Sequence, residues 1–252
     1  MSELHATRTR RTRPSLQQKV RNLTRGRARA ARKTIVRAAM RQAHALRFVG
    51  RSEVRLSDVH TRDQIPHLLN RRGLVGVAVE IGVKRGGYSD FLLHHWRGRM
   101  LISVDPWREA PPEEYVDRAN VHQQQQEQYY AEACSRLRRH GGRSEIWRLT
   151  SIEAAKRVED GSLDFVYVDA RHDTASVRED LEAWYPKLRP GGLLAGHDYV
   201  DGRFPNGDFG VRTAVDSFFA EVGLPVHSTD GRPKLVEQFP SWLVELSAGE
   251  DG

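Results

Sequence analysis

A single cysteine, Cys134, stands among 252 residues, so the chain can form no internal disulfide and no cysteine-based zinc cluster, which suits a reducing compartment. No apolar run approaches the roughly 20 residues that a membrane-spanning helix needs, and the N-terminus lacks the apolar core of a secretion signal. Acid is scarce at one end. Residues 1–50 hold 14 Lys and Arg against one acid, Glu3, a net of +13, while the other 202 residues carry −6, so the formal +7 of the chain comes wholly from its leader. As far as residue 29 the leader has the low apolar content of a disordered arm, and residues 30–48 have the spacing of a basic amphipathic helix. Such an arm can meet anionic lipid, nucleic acid or an acidic partner, or remain a solvated tail or a helix packed on a partner. These features predict a cytoplasmic protein, peripheral at a membrane if the arm binds lipid. In it a basic extension (1–50) precedes one α/β domain (51–252), and no internal repeat is present.

Within the domain, short apolar runs alternate with helical patterns and end in glycine, acid or histidine. Val77-Ala-Val-Glu80-Ile-Gly82-Val-Lys-Arg-Gly86-Gly87 is a strand entering a glycine turn, and Tyr88-Ser-Asp-Phe-Leu-Leu begins the helix behind it. Gly82 and Gly86 would let backbone approach a ligand without a Cβ in the way, and Glu80 can meet an ammonium or a hydroxyl, although such glycines also serve plain tight turns. Met100-Leu-Ile-Ser-Val-Asp105-Pro-Trp107 ends in a carboxylate about twenty residues later, where a doubly wound sheet meets ribose hydroxyls. Asp105 could instead cap a helix; Trp107 offers an aromatic face beside an adenine. Leu149-Thr150-Ser151-Ile-Glu153 combines a strand end with a capping-box start, and Ser151 is a candidate for the adenine edge. Leu163-Asp-Phe-Val-Tyr-Val-Asp169 is a buried strand with His172 three residues beyond it, and Pro190-Gly-Gly-Leu-Leu-Ala-Gly-His197-Asp198-Tyr199 is the next strand. Their ends face one crevice, because ligands in such sheets bind outside the carboxyl ends of the strands.

Taken together, Glu80-Ile-Gly82-x-x-x-Gly86, Asp105, Asp169-x-x-His172 and Leu-Arg-Pro-Gly-Gly before His197-Asp198 resemble a class I S-adenosylmethionine-dependent O-methyltransferase. The resemblance covers roughly residues 74–246 and is greatest to the magnesium-dependent branch that includes the macrolide sugar O-methyltransferases and, more distantly, the catechol and caffeoyl-coenzyme A enzymes. It implies a Rossmann-like seven-stranded sheet, mostly parallel with the last strand antiparallel, and helices on both faces. S-adenosylmethionine would lie on Glu80, Gly82, Gly86, Asp105, Trp107, Ser151 and Asp169. A magnesium ion or another divalent cation would lie on Asp169 and Asp198, with His172 as general base. The sequence departs from the family at two places: His197 stands where the macrolide branch has an acid, and Tyr199 where the catechol branch has Asn. Magnesium prefers oxygen, so His197 as a third metal ligand leaves the identity of the ion open.

The remaining segments predict a helix over 54–72 kinked at Pro66, a substrate lid between Asp105 and Glu145 with Gln123–Gln126 on a polar helix face, and a helix over 179–188 with Trp184 and Tyr185 in the core. They also predict a turn-rich loop over 200–211 leading into a helix over 212–222, and two final strands near 225–229 and 239–246. Methyl transfer to a hydroxyl needs an aligned, partly deprotonated oxygen, which a cation on two carboxylates and a histidine base can supply. The expected acceptor is a small sugar or polyol-like natural product, and a homo-oligomer is compatible with the sequence. An RNA-modifying methyltransferase gripping phosphates through the basic arm, a metal-independent enzyme with His172 as base, and a noncatalytic binding protein are the alternatives.

Overall fold

The computed structural model describes residues 54–111, 115, 117, 119–204, 207–229 and 239–247. The basic arm, its amphipathic helix and the boundary at residue 50 lie outside the described residues. Seven strands form one sheet: β1 (Val77–Ile81), β2 (Met100–Val104), β3 (Ser144–Trp147), β4 (Leu163–Val168), β5 (Leu188–Gly196), β8 (His227–Ser228) and β9 (Trp242–Glu245), in the order β3-β2-β1-β4-β5-β9-β8. The first five are parallel, and β9 runs antiparallel to both β5 and β8. Strand order reverses between β1 and β4, which opens the ligand crevice of such sheets at the carboxyl ends of these two strands.

Alternation along each strand divides the core in two. Val79, Ile81, Val166, Val168 and Leu194 point to one face, while Ala78, Phe165, Tyr167, Leu193 and Ala195 point to the other. The second face is covered by α1 (Ile65–Arg71) and α2 (Gly87–His95) through Leu68, Leu69, Phe91 and Leu92. The first is covered by α4 (Ser151–Ala155), α5 (Thr174–Trp184) and α6 (Val211–Val222) through Ala154, Leu181, Trp184, Val215 and Phe219. All six residues of β4 are buried, which is why it reads as an apolar run broken only by Asp164, whose carboxylate is satisfied by Gly76 N and Arg189. The remaining long helix, α3 (Gln123–Leu137), packs Ala133 and Tyr129 against Val83 and Trp107. No helix among the described residues is long and apolar enough to cross a membrane.

Three local expectations change. Residues 54–72 do not form one kinked helix: two short 3-10 turns, Leu56–Asp58 and Arg62–Gln64, precede α1, and Pro66 sits in its first turn, where a missing N–H costs nothing. The helix expected over 179–188 starts earlier, at Thr174, because Asp173 caps it by accepting from Ser176 N at 2.9 Å, and it stops at Trp184 before a 3-10 turn containing Pro186. The loop over 200–211 is a β-hairpin of β6 (Asp201–Phe204) and β7 (Gly207–Gly210). Gly207 also bridges Asp117, so the hairpin meets the segment between β2 and α3 above the crevice.

Candidate active site

Gly82, at the end of β1, has φ +87°, and a Cβ placed on it would lie 1.9 Å from the carbonyl oxygen of Asp169. The absent side chain is thus filled by protein, where the sequence suggested room for a ligand. The turns after β1 and β4 interlock there, with Asp169 N donating to Ile81 O at 2.8 Å, while on the other side Gly82 N donates to Val104 O of β2 at 2.9 Å. Gly86, with φ +70°, faces Ala133 Cα in the same way, 3.2 Å from where its Cβ would be. Glu80 is buried behind this turn and accepts from the Ser89 hydroxyl, which itself accepts from Ser103 at 3.1 Å. Burial pushes its carboxyl up to about 8 against the pull of that hydroxyl, with Asp169 adding to the rise and Arg62 opposing it.

Asp105 closes the end of β2. One carboxylate oxygen accepts from Lys84 N and the other from Trp107 N, both at 2.8 Å, which steadies two residues with positive φ, Lys84 at +53° and Trp107 at +42°. Burial raises its pKa although these amides pull it down. Trp107 itself is fully buried. Its indole donates to Lys84 O at 2.7 Å and its ring lies 5.0 Å from that of Tyr130, so it wedges the glycine turn against α3 and shows no face to an adenine. Ser151 is likewise engaged inside the protein, accepting from Trp184 Nε1 at 2.8 Å and bonding to Asp180, whose carboxyl burial pushes up to about 7. The Thr150–Glu153 capping box forms as its spacing suggested.

The other predicted residues converge. Asp169, His172 and Asp198 each offer one atom to a group spanning at most 4.8 Å. His172 Nε2 is 3.0 Å from Asp198 Oδ2 yet buried and without a hydrogen-bond partner among the described residues, so that contact is close but poorly aligned. Asp198 adopts φ +53°, a strained conformation for a non-glycine residue, and its other oxygen lies 2.6 Å from His197 Nδ1. His197 stands outside the convergent set, and its Nε2 is also buried and unpartnered among the described residues. Burial works to raise the Asp198 carboxyl, but His172 and His197 outweigh it and hold the group well below the usual carboxylate range. For His172, burial works downward, while the hydrogen bond to Asp117 and the negative charge of Asp198 and Asp117 win and raise it to about 9.

Four neighbours carried no signal in the sequence. Asp117 Oδ2 lies 3.0 Å from His172 Nδ1, and Phe209 of the hairpin stacks on the imidazole at 4.2 Å and 9°. Arg62 Nη1 lies 3.4 Å from Asp169 Oδ2 while its guanidinium covers the Tyr88 ring at 4.9 Å. Tyr115 lies under the guanidinium of Arg171 at 5.1 Å. Sequence separations of 55 residues for Asp117–His172 and 107 for Arg62–Asp169 leave no local pattern to read.

The carboxylates of Asp169 and Asp198 form a donor pair that fits a hard divalent ion such as magnesium or manganese, and the His172 imidazole beside them is placed to take a proton from an oxygen held there. The orphaned His172 Nε2 fits the same reading, because it needs either such an ion or a proton from a ligand.

Residues 79–199 match a family model described as a methyltransferase domain. Similar solved structures include a protein of Clostridium thermocellum provisionally described as an rRNA methylase (15% identical, TM-score 0.52, covering 76% of this chain and 98% of that one). An O-methyltransferase family protein from Burkholderia thailandensis follows at 15% identity and TM-score 0.51, covering 75% and 60%. The O-methyltransferase of Bacillus cereus, solved in complex with SAH, is 16% identical with TM-score 0.49, covering 82% and 88%. At such identities the likeness is one of fold. Among curated proteins, an uncharacterized protein of Sinorhizobium fredii is 42% identical over 55 residues, a stretch covering 22% of this chain and 6% of that protein. Residues 79–199 are thus similar to a methyltransferase domain, and the sheet order, with acids at the ends of β1, β2 and β4, is that of the Rossmann-like methyltransferase fold.

Asp105→Ala removes the acceptor of two backbone N–H groups and the carboxylate available to ribose hydroxyls. It is expected to weaken S-adenosylmethionine binding by roughly 1 to 3 kcal/mol. Titration calorimetry on a variant that still folds checks this, and an unchanged affinity would remove Asp105 from the cofactor site.

Proposed function

We propose that the protein methylates a hydroxyl of a small polyhydroxylated molecule, a sugar or polyol-like natural product, with His172 as the base and a divalent cation held by Asp169 and Asp198. The observation that carries the reading is the meeting of Asp169, His172 and Asp198 at the strand ends beside the cofactor turn. In the transfer, an acceptor oxygen attacks the methyl carbon, the carbon–sulfur bond breaks, S-adenosylhomocysteine leaves, and the hydroxyl proton passes to His172 Nε2. The sulfonium is already electrophilic, so the protein has to align the oxygen and remove its proton. Nδ1 of His172 is taken up by Asp117, which makes Nε2 the atom able to accept. A bound cation would lower the pKa of the acceptor hydroxyl and screen Asp198, whose charge otherwise helps to keep the imidazole protonated.

The +13 of the first fifty residues favours a second reading, an RNA acceptor held by its phosphates. Incubation with methyl-labelled cofactor and separate panels of polyhydroxylated small molecules and RNA distinguishes the two. Label in the RNA fraction alone would replace the first reading by the second. With a working acceptor, His172→Ala is expected to lose roughly a hundredfold or more in kcat while keeping its affinity for cofactor and for Mn2+. Loss of Mn2+ binding in that variant would make His172 a metal ligand and leave the base to be found elsewhere.

A further inference from the structure

We propose that Asp117 is a positioning residue that selects the tautomer of His172. Its carboxylate is 6% exposed and lies 3.0 Å from His172 Nδ1, while its other oxygen accepts from Ala119 N at 2.6 Å, so the group is anchored in its own turn before it meets the imidazole. Its backbone is bridged to Gly207. The hairpin it joins also holds His172 at two further points: Gly210 N donates to His172 O at 2.8 Å, and Phe209 covers one face of the ring. The imidazole is thus fixed at its backbone, one face and one edge.

A neutral imidazole carries one N–H, and a carboxylate can only accept. Asp117 therefore keeps the proton on Nδ1, which leaves the lone pair on Nε2, the atom beside Asp198. Without Asp117 the proton is free to move to Nε2, where Asp198 would accept it, and the ring would then present an N–H where the reaction needs an acceptor. This inference rests on the reading of His172 as the base.

The test compares the full-length protein with Asp117→Ala and Asp117→Asn, using steady-state kinetics, thermal melting and NMR of 15N-histidine-labelled protein. Wild type is expected to show a downfield, 15N-coupled imidazole proton that is missing from both His172→Ala and Asp117→Ala. In Asp117→Ala, kcat is expected to fall by at least about tenfold, towards the roughly 10⁴-fold loss known when the carboxylate behind a catalytic histidine is lost, with KM for cofactor and acceptor changed by less than about threefold. Asp117→Asn keeps the volume, but with its single carbonyl on the Ala119 N turn bond its NH2 faces Nδ1 and holds the proton on Nε2, so kcat should stay as low as in Asp117→Ala while Tm is closer to wild type. Unchanged kcat in Asp117→Ala, or a downfield proton that persists in it, overturns the proposal. So does a loss that appears only as raised KM and lowered Tm, because that would be a scaffold effect. If His172→Ala itself turns over normally, the reading of His172 as base has failed, and the NMR result then reports on the contact independently.

Discussion

Excess chelator is expected to abolish methyl transfer, and added Mg2+ or Mn2+ to restore it. Asp169 and Asp198 end adjacent parallel strands, and their oxygens fall within the 4.8 Å group that also includes His172. Carboxylates brought so close repel unless positive charge lies between them. Protonated His172 beside Asp198 and Arg62, 3.4 Å from Asp169, offset part of that charge in the metal-free site. Both are monovalent groups with no means of activating an oxygen as a Lewis acid does. A bound cation is worth several kcal/mol of charge stabilisation in a transfer of this kind, so its removal should cost about a thousandfold in kcat. Asp169→Ala and Asp198→Ala should each resemble the chelated protein in turnover and should lose Mn2+ binding, measured by calorimetry or by the electron spin resonance of free Mn2+. Equal turnover in chelator, with a known acceptor, would reject the metal and leave His172 as base acting alone.

Gly82→Ala is expected to damage the fold severely. The added carbon meets the Asp169 carbonyl oxygen at 1.9 Å, its carbon at 2.4 Å and Ala170 Cα at 2.8 Å, all of them backbone atoms that cannot rotate away. The backbone also has φ +87°, which an L residue adopts only under strain. The overlap and the strain together should cost about 4 kcal/mol or more, a fall in Tm of roughly 10 °C for a domain of this size. Relief can come only by parting the turns after β1 and β4, so a folded fraction should bind both cofactor and Mn2+ poorly. Gly87→Ala, a few residues on, is the control. Nothing lies within 4 Å of its would-be Cβ, and as a helical residue it should be neutral or stabilising by about 0.5 to 1 kcal/mol. Matching melting curves for Gly82→Ala and wild type would show that the two turns do not interlock.

Local chemistry made the sheet legible. The segments that form β1, β2, β4 and β5 are apolar because both faces of the sheet are covered, and each ends in glycine, acid or histidine because its carboxyl end meets the crevice. Asp169, His172 and Asp198 could be found for the same reason: a strand end gives a residue a direction as well as a position. The capping box at Thr150 was visible because its two partners are three residues apart.

Where a side chain's partner is remote in the chain, the pattern carried no such information. Trp107 follows an acid at a strand end, yet its environment is set by α3, and its ring went into the core instead of toward a cofactor. Gly82 carries a glycine's freedom in its sequence, but only the crossing of two turns decided that the space belongs to Asp169. The partners of His172 were decided in the same way. Asp117 and Phe209 come from segments on either side of it, and Arg62 reaches Asp169 from the far end of the domain. Sequence periodicity specifies backbone conformation and which face is buried, whereas contacts between distant loops depend on how the chain closes over the sheet. By itself, therefore, the sequence determined the sheet, the crevice and the groups that meet there, and tertiary closure decided what holds each of those groups and in which state.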